Sequence, residues 1–72
     1  MFEILVEDEF GGVQGNYQYS SKAEATRVAK DGAKHHQGRA VVSEDDVVVV
    51  EFKYEDGRVN GYDDEGNHVY NV

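Results

Sequence analysis

The chain has 72 residues, enough for one hydrophobic core and therefore one domain spanning residues 1–72. It has no Cys, which excludes disulfides and thiolate zinc sites and leaves packing, or a partner, to hold the fold. Its 15 acids against 7 Lys and Arg give a formal charge of −8, which argues against direct nucleic-acid binding, because affinity for phosphate comes mainly from cationic contacts.

Phe2, Ile4 and Val6 alternate with Glu3, Leu5 and Glu7, a period of two that predicts a strand over about 2–7. Glu7-Asp8-Glu9 runs into Gly11-Gly12, a turn signal, and residues 13–19 alternate again with Tyr17 and Tyr19 on one side. Ser21-Lys22-Ala23-Glu24 is a capping box: the Ser hydroxyl can accept from the amide three residues on, and Glu24 can reach back. A helix over about 22–36 follows, with Gly38 expected as its left-handed terminator. At 100° per residue, Ala25, Val28, Ala29, Gly32, Ala33 and His36 form one stripe of mostly small side chains. Small side chains let a helix backbone lie close to a sheet.

Ala40-Val41-Val42 is a short apolar run that ends in the polar turn Ser43-Glu44-Asp45-Asp46. Residues 47–54 carry the strongest strand pattern, placing Val48, Val50, Phe52 and Tyr54 on one face and Val47, Val49, Glu51 and Lys53 on the other. Asp56-Gly57 is a short-hairpin dipeptide, since a type I′ turn needs positive φ at both central positions. Arg58–Tyr62 returns as a strand, Asp63-Asp64-Glu65-Gly66 turns, and residues 67–72 offer a last strand. The expected architecture is α+β: an antiparallel sheet in the order β-β-α-β-β-β-β with one helix on one face, a two-layer sandwich. A single helix covers a single face, so Leu5, Val47 and Val49 are expected on the uncovered one. Exposed apolar surface of that kind marks association, and a homodimer through those three residues is one expectation.

The charge is unevenly spread. Residues 21–39 hold Lys22, Arg27, Lys30, Lys34 and Arg39 against Glu24 and Asp31, an excess of +3, while the rest of the chain carries −11. Arg27, Lys30 and Lys34 lie together on the helical wheel, opposite the core stripe, as a secondary candidate contact face. The acids gather in four loops: Glu7-Asp8-Glu9, Glu44-Asp45-Asp46, Glu55-Asp56 and Asp63-Asp64-Glu65. If the strands alternate in direction, the first and third clusters share one end of the sheet and the other two share the opposite end. Turns ordinarily contain acids, but rows of carboxylates on a small rigid sheet could also stand in for phosphates. These eleven residues are the candidate partner-binding set, and the partner they imply is a protein with a basic surface.

Catalysis has little to build on. There is no Cys nucleophile, no glycine-rich phosphate loop between a strand and a helix, and no carboxylate ladder of the calcium-loop type. His35 and His36 are adjacent on a helix and leave it about 100° apart, so they are not expected to serve one site. A metal or small-molecule site would have to use His36, His68 and nearby acids. The chain is expected to be a non-enzymatic binding module without a cofactor. Its longest apolar run, Val47–Val50, falls far short of the ~20 residues that cross a bilayer, and Glu3, Glu7, Asp8 and Glu9 are unlike the basic start of a secretion signal. The expected location is the cytoplasm.

Ser20-Ser21-Lys22-Ala23-Glu24-Ala25-Thr26-Arg27-Val28-Ala29-Lys30, then Gln37-Gly38, then Lys53-Tyr54-Glu55-Asp56-Gly57-Arg58, resembles small phage-encoded anti-CRISPR proteins of the type I inhibitors. The resemblance covers about half the chain. It implies a β-β-α-β-β core and a non-enzymatic inhibitor that docks on a Cas surveillance complex, often where target DNA would pass, in the cytoplasm of the host cell. Residues 1–12 are also similar to the first strand of small bacterial antitoxins with one helix on a sheet, although the Pro-rich turn expected before the helix is missing.

Overall fold

A computed structural model describes residues 1–71. Six strands and one helix follow in the expected order: β1 (Phe2–Glu7), β2 (Val13–Tyr19), α1 (Lys22–His36), β3 (Arg39–Glu44), β4 (Val47–Glu55), β5 (Arg58–Tyr62) and β6 (His68–Asn71). The expected strand end at residue 72 lies outside the described residues. All pairings are antiparallel, and the sheet order is β2-β1-β3-β4-β5-β6. Both β2 and β3 pair with β1, so α1 connects two strands that run parallel with β1 between them, a split β-α-β unit. The remaining strands form a meander of tight hairpins.

The helix lies mainly across β1 and β3 and less on β4. Its buried residues are Ala25, Ala29 and Ala33, one per turn of the expected stripe. They meet Ile4, Val6, Ala40, Val42, Val50, Phe52 and Val59 in a core with no buried polar side chain among the described residues. Phe52, Ile4 and Val42 are its largest fully enclosed side chains. The alanine ridge lets the backbones approach so closely that a Cβ on Gly32 would sit 2.9 Å from a Val6 methyl.

Ser21 caps the helix start, its hydroxyl accepting from the Glu24 amide at 3.3 Å. At the other end the structure corrects the sequence reading. The left-handed residue is Gln37, at φ 52°, and not Gly38. The Gln37 amide donates to the Lys34 carbonyl and the Gly38 amide to the Ala33 carbonyl, the paired bonds of a Schellman cap. Gly38 is required for a different reason: the chain crosses the end of β1 there so tightly that a Cβ would lie 2.0 Å from the Glu7 carbonyl oxygen.

A bulge in β4 makes the second correction. Val42 pairs with Val50 but Ser43 pairs with Val48, so Val49 is an extra residue and the alternation reverses below it. Val48 therefore joins Ser43 and Glu3 on the open face, while Val47 lies opposite Glu44 and Phe2 in the helix-side rows. The apolar centre of the open face is Leu5, Val41, Val48 and Val49, not the expected set of Leu5, Val47 and Val49. Leu5, Val41 and Val49 are each half-buried by their neighbours.

Candidate acidic recognition site

The four acidic loops occupy the two ends of the sheet as alternation predicts, but the ends are chemically different. At the end holding the β1–β2 loop and the β4–β5 turn, most carboxylates are already engaged. Arg39, opposite Glu7 on one side and Lys53 on the other, bridges Glu7 (Nη1 to Oε1, 2.8 Å) and also donates from Nε to Glu51. Its two carboxylate partners hold the guanidinium above its usual pKa. Its side chain is 46% exposed, so the pairs serve more to spend charge than to add stability. Glu55 accepts from the Tyr62 hydroxyl and from Asn60. The Tyr62 bond is the main reason that the Glu55 carboxyl is lowered and the Tyr62 phenol raised. Glu7, Asp8, Glu9 and Glu55 border one depression whose other walls include Arg39 and Lys53, so part of the negative charge at this end is offset.

Asp8 is a loop organiser. Its Oδ1 accepts from the Phe10 amide at 2.9 Å and the Gly12 amide at 2.8 Å, and its Oδ2 accepts from Gln14 at 2.9 Å. Asp63 repeats the device, its Oδ1 accepting from the Glu65 amide at 3.0 Å and the Asn67 amide at 2.8 Å. Each loop closes through a glycine three residues on, Gly11 or Gly66, both at φ 84°. The signal was present in the sequence as Asp followed three residues later by Gly, but it marks loop construction, not a contact surface. Backbone donors hold both carboxyls below the ordinary value of 3.8, chiefly Gly12 for Asp8 and Asn67 for Asp63. A lowered carboxyl stabilises the fold fully above its unfolded pKa and loses that contribution as pH falls through the folded value. In thermal unfolding followed by circular dichroism, wild type should therefore lose midpoint temperature more steeply below about pH 4 than an Asp8→Asn, Asp63→Asn double variant. Parallel acid limbs would show that neither carboxylate contributes.

The opposite end is different. It gathers the β3–β4 turn, the β5–β6 loop and the first turn of α1. Glu44, Asp45, Asp46, Asp64 and Glu65 are all exposed there. Among the described residues none of these five carboxylates has an ion pair or accepts a side-chain hydrogen bond. In the segments that form this end (1–3, 20–24, 43–47 and 63–67) Lys22 is the one cationic side chain. The two acidic loops are two strand spacings, roughly 10 Å, apart across the sheet, and they are also offset along it, because β5 ends opposite Glu51 while β4 begins at Val47.

The turn between β3 and β4 has unusual chemistry. Glu44 pairs with Val47, leaving a two-residue loop in which Asp45 (φ 51°) and Asp46 (φ 66°) are both left-handed. The same turn type at β4–β5 uses Asp56 (φ 52°) and Gly57 (φ 80°), the combination the turn prefers. The β3–β4 turn thus keeps a second carboxylate where glycine would relax the backbone.

Of the secondary helix face, Arg27 pairs with Asp31 at 3.8 Å. Lys30 and Lys34 turn toward the β4–β5 hairpin. His35 and His36 do line one groove after all, beside Tyr17, Tyr19 and Val28, with their rings edge to face at 4.7 Å. Adjacent helical positions diverge at Cα, but the side chains fold back together. His68 packs on Tyr62 at the other side of the sheet, so His36 and His68 do not share a site. Among the described residues, no three His, Asp or Glu side chains are grouped to hold a metal, and no helix is long and apolar enough to cross a membrane. Phe10, 90% exposed at the tip held by Asp8, is a contact candidate that strand and helix periodicity could not flag, because loops have no period.

Fold and site together define a two-layer α+β domain with five exposed, unpaired carboxylates toward one end of its sheet. The chain matches no known protein family, no characterised protein and no solved structure.

Proposed function

We propose that this protein is a small non-enzymatic inhibitor that occupies a basic, nucleic-acid-handling surface of a host protein, in the manner of the anti-CRISPR proteins that act on type I surveillance complexes. The observation that carries the reading is the Asp45-Asp46 turn. Two adjacent like charges sit in left-handed backbone at the tip of a hairpin. A non-glycine residue there costs about 1 kcal/mol of fold stability, and nothing inside the fold is gained from either carboxylate. Strain retained at an exposed tip points outward, to a contact. Glu44, Asp64 and Glu65 add exposed, unpaired carboxylates toward the same end, a concentration of negative charge that a surface built for phosphates accepts.

The test separates stability from binding. Asp45→Asn with Asp46→Gly installs the preferred turn pair and removes both charges. The variant should unfold a few degrees higher than wild type, since ~1 kcal/mol moves the midpoint of a domain this size by about 4–8 °C. The wild-type protein should compete with duplex DNA for purified type I surveillance complexes, with an affinity that falls steeply as salt rises. The variant should compete about tenfold less well, or worse. Equal competition by the two proteins, or a wild-type affinity indifferent to salt, would remove the acidic tip from the mechanism.

A further inference from the structure

The sheet is wider than the helix that covers it. Six strands span about 24 Å between outer axes, and a helix with its side chains is only 10–12 Å across. Because α1 lies over β1 and β3, the helix-side surface of β4 and β5 is left as the floor of a cleft of about 250 Å³. Tyr54 and Val59 form the floor, Lys30, Asp31 and Lys34 the helical wall, and Gly57 and Arg58 the rim.

The charges around this cleft are not explained by the fold. Lys30 and Lys34 are four residues apart on one helical face, a like-charge spacing that destabilises a helix by a few tenths of a kcal/mol. Lys34 gains from the helix C-terminus, but Lys30 is a turn further back. Lys30 is half-buried. Asp31, the one acid in the wall, pairs with Arg27 at 3.8 Å and with neither lysine. Among the described residues, Lys30, Lys34 and Arg58 have no carboxylate within ion-pair distance. Arg58 stands at the rim and also borders the depression on the open face, so its long side chain can serve either side. The cleft thus carries three cationic side chains against one acid, in a chain whose overall charge is −8.

We propose that this cleft binds a small phosphorylated anion, held by the Lys30 and Lys34 ammonium groups with Arg58 closing over it, and with Tyr54 and Val59 against its apolar part. The cleft is smaller than the ~300–1,000 Å³ of sites for drug-sized ligands, which favours something no larger than a sugar phosphate. The site is separate from the acidic end and does not depend on it.

Pyrophosphate at constant ionic strength, titrated into the ¹⁵N-labelled protein and followed by amide chemical shifts, tests the proposal. The amides of Lys30, Lys34, Gly57 and Arg58 should shift along one saturable curve while those of Lys22 and Lys53 stay still. Lys30→Ala and Lys34→Ala should each weaken binding about tenfold, the worth of one charge-assisted hydrogen bond, without altering the rest of the spectrum. Arg58→Ala should weaken it less. Citrate, with comparable charge and no phosphorus, should bind more weakly. Equal affinity for citrate would overturn the phosphate assignment. Unsaturable shifts shared by every lysine would overturn the site itself. Shifts of the same amides on raising protein concentration alone would show the cleft filled by the acidic tip of a second copy, and would overturn the small-ligand proposal.

Discussion

Gly38→Ala should leave the protein largely unfolded at 25 °C. The added Cβ would lie 2.0 Å from the Glu7 carbonyl oxygen, 2.6 Å from the Asp8 carbonyl carbon and 2.7 Å from its oxygen. These are backbone atoms, so no side chain can swing aside. Relief requires moving the helix end away from the end of β1. That motion would break the Gly38 amide bond to the Ala33 carbonyl (3.0 Å) and the Tyr54 amide bond to the Gly38 carbonyl (2.8 Å), which tie α1 to the sheet. Overpacking of this kind costs about 3 kcal/mol or more. A core of this size supplies only ~3–5 kcal/mol in total. The neighbouring residue gives the opposite sign. Gln37→Gly relieves a left-handed side-chain residue and should raise stability by about 1 kcal/mol. Chemical denaturation of both variants checks the pair. A folded, wild-type-like Gly38→Ala would mean that the crossing is looser than described.

Phe52→Ala should have an effect as large by the opposite mechanism. Phe52 is fully buried in the core, opposite Ala40 on β3 and Gly61 on β5. Truncation removes its transfer free energy and leaves a cavity, together about 3–5 kcal/mol. The other fully buried core residues are alanines, valines and one isoleucine. Few of them are long enough to collapse into the space. Equilibrium urea unfolding should show the variant mostly unfolded without denaturant, whereas Phe52→Leu should remain folded with a lower midpoint. A modest loss for the alanine variant would show that the helix settles into the gap.

Much of the scaffold was legible along the chain. Capping at Ser21, the alanine stripe, the period of two in β1, and the Asp56-Gly57 turn are all local patterns, and each has its expected structure. The four acidic loops also lie at the expected ends. What periodicity could not show was their individual state. Glu7 faces Arg39 across a strand pair 32 residues apart, and Glu55 meets Tyr62 across a hairpin. Both look like free acids until the register is known. The bulge at Val49 was equally hidden, because a run of four valines has no internal mark of phase. One extra residue exchanged Val47 for Val48 on the open face.

By itself the sequence determined the elements, their order, the helix stripe that is buried and the turn chemistry, because each depends on neighbours within a few positions. Only the tertiary structure decided that β3 lies beside β1, which carboxylates are spent, and that Lys30, Lys34 and Arg58 border one cleft. Those outcomes depend on register and on the helix covering half a sheet, and distance through space between residues far apart in the chain leaves no periodic trace.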